Sequence, residues 1–193
     1  MGKISMGKKV KDIKWISFFS QTGSEIIDLS IKLGFSPDIV ITNKADIENL
    51  EIYKLYKFKI YKLSKNPKVE EYLDLFCKLQ IEQNKSIITL HGYLKIIPKK
   101  LVENYNIFNL HPGLINLYPQ LKGIHPQKKA MKLKHPIIGC VIHKVTEKVD
   151  DGEILLFNSE KKQLNEKDTF YVLKKLSLEL WLDFFKKNVF KIK

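Results

Sequence analysis

At 193 residues the chain has room for one domain with a sizeable core and none for a second large one. No run of about 18 apolar residues occurs and the start Met1-Gly2-Lys3-Ile4-Ser5 lacks a hydrophobic stretch, so the expectation is a cytoplasmic protein without membrane attachment. The formal charge of +13 points towards a polyanion, but all 34 basic residues are Lys, spread along the chain, whereas reading phosphates and guanine edges favours Arg; a solvated lysine surface is expected, nucleic acid is not the expected partner, and an anionic-ligand or tRNA field is the second reading.

Residues 1–12 are rich in Gly and Lys and read as a flexible tail, leaving 13–193 as the folded domain. Residues 13–19 have strand character. The polar cluster 20–24 then passes into a helical pattern through Ile26, Ile27, Leu29, Ile31 and Leu33, stopped by Gly34. Residues 39–42 form a second short strand, and a mixed stretch over 51–62 ends in a third. Pro67 precedes a helix over about 68–83 with Tyr72, Leu75, Phe76 and Leu79 on one face. Strands follow at 87–90 and 107–110, a short helix near 128–133, and strands at 137–145 and 154–158. A last helix over about 168–187 carries Phe170, Leu173, Leu176, Leu180, Trp181, Phe184 and Phe185, an aromatic stripe that reads as core.

Strands alternating with helices imply an α/β domain built on one doubly wound, mostly parallel sheet with helices on both faces. Ligands of such sheets sit beyond the carboxyl ends of the strands. Those ends fall here at 20–24, Asn43, His91-Gly92 and His111.

At the last of these ends the segment Asn109-Leu110-His111-Pro112-Gly113 is followed some forty residues later by Val149-Asp150-Asp151-Gly152. An amide, an imidazole and a carboxylate are thereby available for acyl transfer: His moves protons, Asp orients and charges it, and a neutral amide donates to an oxyanion. The same residues also suit an ordinary strand-to-turn exit and an Asp-Gly turn. The turn 20–24 opens a helix, so its backbone N–H groups suit a phosphate, or simply cap the helix. Cys77 and Cys140 lie in no metal-binding spacing, and the five histidines, 91, 111, 125, 135 and 143, are scattered, so no metal site is expected.

The stretch from Phe108 through Ile115, with Tyr118-Pro119 and then Gly139 through Gly152, resembles the folate-dependent formyltransferases, a family that includes glycinamide ribonucleotide, methionyl-tRNA and amino-sugar formyltransferases. His91-Gly92-Tyr93-Leu94-Lys95-Ile96-Ile97-Pro98, Thr42-Asn43-Lys44-Ala45-Asp46 and Ser20-Gln21-Thr22-Gly23-Ser24-Glu25 extend the resemblance over about 13–158, closest to the glycinamide ribonucleotide branch. It implies a Rossmann-like domain of one-carbon metabolism and purine biosynthesis, using formyltetrahydrofolate as formyl donor and a small-molecule amine, phosphate-bearing in that branch, as acceptor. It also implies Asn109, His111 and Asp150 as the catalytic set. Gly92, Leu94, Lys95, Ile96, Ile97 and Val145 would line the donor pocket, and Thr22, Gly23, Ser24 and Glu25 would hold the acceptor.

Three departures from the family pattern stand out. Asp151 follows Asp150 where Gly or His is common, Glu25 replaces an Asn, and Lys95 stands where Arg is common, which makes any clamp on the folate tail a point charge. Glu25 in the first helical turn would compete with a phosphate for the helix dipole. His91, His135 and His143 read as structural or surface residues, and His125 falls in a poorly matching segment. Two alternatives remain: an amino-sugar nucleotide as acceptor, and a non-catalytic lysine-rich binding module on the same scaffold.

Overall fold

The computed structural model describes residues 13–56, 58–161 and 165–188. The tail expected over 1–12 lies outside the described residues. In chain order the elements are β1 (Lys14–Phe19), α1 (Ser24–Leu33), β2 (Ile39–Thr42), α2 (Glu51–Lys54), β3 (Ile60–Lys62), α3 (Val69–Lys78), β4 (Ser86–Leu90), α4 (Lys99–Asn104), β5 (Ile107–His111), α5 (Pro126–Lys132), β6 (Ile137–Lys144), β7 (Ile154–Lys161) and α6 (Glu166–Asn188). The strands form one sheet in the order β3-β2-β1-β4-β5-β6-β7.

The first five strands are parallel, as the alternation with helices requires. At the other end β6 runs antiparallel to β5 and β7 antiparallel to β6. The β6–β7 connection is too short to hold a crossover helix, so the chain can only turn back on itself.

Side chains of β1 alternate between two cores. Ile16 and Phe18 pack with Tyr72 and Phe76 of α3 and Leu101 and Val102 of α4. Trp15 packs on the other face with Leu29 and Leu33 of α1 and with Leu176, Leu180, Trp181, Phe184 and Phe185 of α6. The strand is therefore buried on both faces, the environment that explains its lack of polar alternation.

Four elements differ from the sequence reading, the first being α2, a four-residue helix inside the mixed stretch 51–62. The helix expected to reach about residue 83 stops at Lys78: Gln80 adopts φ 50°, Ile81 N–H bonds the Phe76 carbonyl at 3.0 Å and Gln80 N–H that of Cys77. This is a Schellman ending with Gln in the place usually taken by Gly, and the buried Ile81 and Phe76 share its core cluster. α4 was not expected; at six residues it is too short to show a helical period, and it docks by Leu101 and Val102. Phe170 is 67% exposed rather than core, because it lies at the start of α6, one turn before Leu173 enters the packed face.

Candidate active site

In β5 residues two apart face the same way, so Asn109 and His111 share one face while Phe108 and Leu110 pack against the α6 side. The antiparallel register sets His143 of β6 directly opposite Asn109 and Val141 opposite His111. Cross-strand neighbours touch. Nε2 of His143 is 3.2 Å from Asn109 Nδ2 and 3.5 Å from Asp150 Oδ1, while His143 Nδ1 donates to the Lys144 carbonyl at 3.0 Å. Unprotonated, that Nε2 accepts from the amide; protonated, it leans on the carboxylate.

Asp150 lies in the β6–β7 connection with φ 52°. The left-handed conformation, tolerated by Asp and Asn, turns its carboxylate back over the sheet. Oδ2 is 3.2 Å from His111 Nδ1 and accepts from Gly123 N–H at 2.8 Å. His111 Nε2 donates to the Leu121 carbonyl at 2.9 Å. Both groups facing the ring are acceptors, so they fix its orientation from either side. Burial opposes ionisation of Asp150, but hydrogen bonds from His111 and His143, the charge of His111 and the Gly123 N–H outweigh it and hold the carboxyl far below the usual carboxylate range. Asp151 instead faces solvent and pairs with Lys122. The two adjacent acids are thus separated by environment.

Two further loops flank this cluster. β4 pairs with β5 so that Leu90 opposes Asn109, which brings Gly92 alongside the His111 end of its neighbour. Gly92 has φ +62° and open space where a Cβ would stand. Tyr93 and Ile97 turn inward, the Tyr93 hydroxyl 2.6 Å from that of Tyr72, while Leu94 and Ile96 are 66% and 73% exposed. Lys95 Nζ donates to Asn66 Oδ1 at 2.7 Å, and Val145 packs at the margin of the same core. Ser20 ties the other loop in: its N–H donates to the Gly92 carbonyl at 3.3 Å, and its hydroxyl accepts from Leu94 N–H at 2.9 Å and donates to Asn43 Oδ1 at 2.6 Å.

The turn before α1 places Gly23 at φ 70° as N-cap, with no side-chain cap on the helix and with Thr22 and Ser24 exposed. Glu25 departs from the expected acceptor role. Its carboxylate turns away from the turn and takes hydrogen bonds from His91 Nδ1 at 2.7 Å, from Trp181 Nε1 at 3.2 Å and from the Ser177 hydroxyl. With three donors of its own, it is not free to oppose a phosphate at the helix end or to grip an ammonium. Burial again works against ionisation, but the hydrogen bond and charge of His91, then Ser177 and Trp181, hold the carboxyl below its ordinary range.

Residues 19–175 match the family model described as "Formyl transferase". The chain belongs to the formyl transferase family. It is 30% identical over 133 residues to the human trifunctional purine biosynthetic protein adenosine-3, an alignment covering 62% of this chain and 12% of that much longer protein. Its fold is that of a phosphoribosylglycinamide formyltransferase from Campylobacter jejuni, with a TM-score of 0.77 at 21% identity over 90% of this chain and 97% of that one. The enzyme of the same name from Anaplasma phagocytophilum superposes with a TM-score of 0.74 at 22% identity, covering 88% and 83%.

Within this formyl transferase fold, sequence reasoning did not assign His143 to the site. The signal was present only in the pairing of β5 with β6, which puts His143 across from Asn109. It also missed the Leu121 carbonyl and Gly123 N–H, since backbone groups leave no mark on residue identity. Among the described residues no helix is long and apolar enough to cross a membrane.

Proposed function

We propose that the protein transfers a formyl group from formyltetrahydrofolate to the primary amine of glycinamide ribonucleotide, the step that the purine-biosynthetic names of its relatives suggest. The observation that carries this reading is the convergence of Asn109, His111, His143 and Asp150 at the end of β5, next to β4, whose end carries an exposed aliphatic loop and which is flanked on its other side by β1 and the helix start that follows it.

Gly92 supports a flat ring approaching the backbone, because no atom fills the space above it, and Leu94 and Ile96 offer apolar surface to that ring. The bound donor supplies an activated formyl carbon. The Asn109 amide and a ring N–H of His111 are then the donors for the oxygen that becomes negative as the amine adds, and Asp150 holds the His111 ring in place. The amine gives up one proton and the departing folate nitrogen takes one, so His111 needs only to lend and recover its proton. Lending it requires His111 Nε2 to leave the Leu121 carbonyl. The turn at Thr22, Gly23 and Ser24, with Thr22 and Ser24 exposed at the helix start, suits the phosphate of the acceptor.

Formyl transfer should be screened with formyltetrahydrofolate in excess against glycinamide ribonucleotide, its dephosphorylated form and an amino-sugar nucleotide. Turnover with the first and little with the others is expected; turnover with none of them, or with acetyl-coenzyme A in place of the folate, refutes the reading. A reduced folate should also raise the melting temperature, because a ligand of the native state alone stabilises it.

A further inference from the structure

One carboxylate–imidazole pair, its imidazole buried and its carboxylate half-buried, takes no part in the proposed chemistry. Glu25 and His91 sit 66 positions apart in sequence and 2.7 Å apart in space, with the His91 side chain fully enclosed. The far nitrogen of His91, Nε2, is 2.8 Å from Thr89 Oγ1, which also accepts from Trp15 Nε1 at 2.8 Å. On the other side the Glu25 carboxylate is held by Ser177 and Trp181 of α6, and the His91 and Trp181 rings lie 4.8 Å apart. The network thus joins α1, β4 and α6.

A largely enclosed polar pair is a poor device for stability alone, since desolvation offsets much of its attraction and apolar residues of the same volume commonly serve as well. Such a pair does impose direction: it is satisfied at one separation and one orientation. Glu25 directly follows Ser24 of the turn assigned to the acceptor, and His91 directly precedes Gly92 of the loop assigned to the donor. Ser20 bonds the same two segments through the Gly92 carbonyl and the Leu94 N–H.

We infer that Glu25 and His91 are positioning residues which lock the acceptor turn, 20–24, and the donor loop, 92–97, into one register, so that neither substrate site can shift without the other. The inference rests on the proposed function for what the two loops bind, but the lock itself is a property of the protein without ligand.

The decisive variant is Glu25→Gln/His91→Leu. It removes the Glu25 charge and the His91 hydrogen bond, leaves the Gln oxygen to accept from Ser177 and Trp181, and fills the His91 space with apolar volume, so folding should survive. Michaelis constants for glycinamide ribonucleotide and formyltetrahydrofolate should rise together by about tenfold, within the usual range of coupling between sites, while kcat stays within about threefold. His91→Asn, whose amide nitrogen replaces Nδ1, should restore both constants towards wild type. A folded double variant with unchanged Michaelis constants makes the pair merely structural and overturns the inference. Amide hydrogen exchange without any substrate is the independent reading: 20–24 and 92–97 should both exchange faster in the double variant. Unchanged exchange in both segments refutes the lock even if the wild type transfers no formyl group, whereas faster exchange in an inactive wild-type background sinks only the proposed function.

Discussion

His111 is held between two acceptors, the Asp150 carboxylate and the Leu121 carbonyl, so its removal costs stability as well as chemistry and is read on protein shown to be folded. His111→Ala should lower kcat by about a hundredfold or more, the scale of losing a general acid/base, with the melting transition retained. A folded His111→Ala protein with full turnover would exclude it from the reaction. Asp150→Asn isolates the charge, because Asn tolerates the same left-handed backbone. The folded carboxyl is held below its ordinary value, so its contribution is complete above the unfolded pKa, about 3.9, and is lost as pH falls through the folded one. Urea titrations should therefore show wild type more stable than Asp150→Asn by on the order of 1 to 3 kcal/mol near neutrality, a gap that narrows in acid. A gap that widens on acidification contradicts the assigned direction.

The β6–β7 hairpin is the element that delivers Asp150, and Gly152 controls how it does so. A Cβ at Gly152 would lie 1.7 Å from the Lys144 carbonyl oxygen, an overlap that only movement of the backbone can relieve. Gly152→Ala should cost about 1 to 3 kcal/mol, as a strained backbone substitution does. It should also lower kcat through displacement of Asp150 two residues earlier. Calorimetry and steady-state kinetics on the same preparation check both, and an unchanged kcat would mean that the hairpin tolerates the shift without moving its acid. The Asn-x-His spacing was legible in sequence because a strand puts residues two apart on one face. The antiparallel pairing that adds His143 was not, since register is set by partners distant in the chain.

At the scale of the molecule the lysines are dispersed, and several are answered by acids: Lys174 by Asp28, Lys62 by Glu48 and Lys99 by Glu147. Exposed pairs of this kind contribute little to stability. The net charge of +13 nevertheless gives a long-range field that attracts anions. The value of kcat/KM for the phosphorylated acceptor should fall severalfold, roughly, as ionic strength rises and the field is screened, while that for the dephosphorylated amine stays flat. Equal salt dependence for the two amines would leave the lysines as a solvating surface alone.

The alternation of strands and helices, the parallel body of the sheet, the strand ends where ligands sit, and the acid, imidazole and amide of the motif around His111 are all legible in the residues alone. Each is a local pattern: period, turn residues, or a few adjacent side chains. Packing alone settles that Asp150 is also held by the Gly123 N–H, that His143 joins Asn109, and that Glu25 turns inward to His91, Ser177 and Trp181 rather than towards the anion turn. The physical reason is the same in all three cases. A polar side chain is committed by whichever partner it meets when the elements pack, and for Glu25 those partners include residues 152 and 156 positions away, on a helix whose apolar stripe shows that it is buried but not against what.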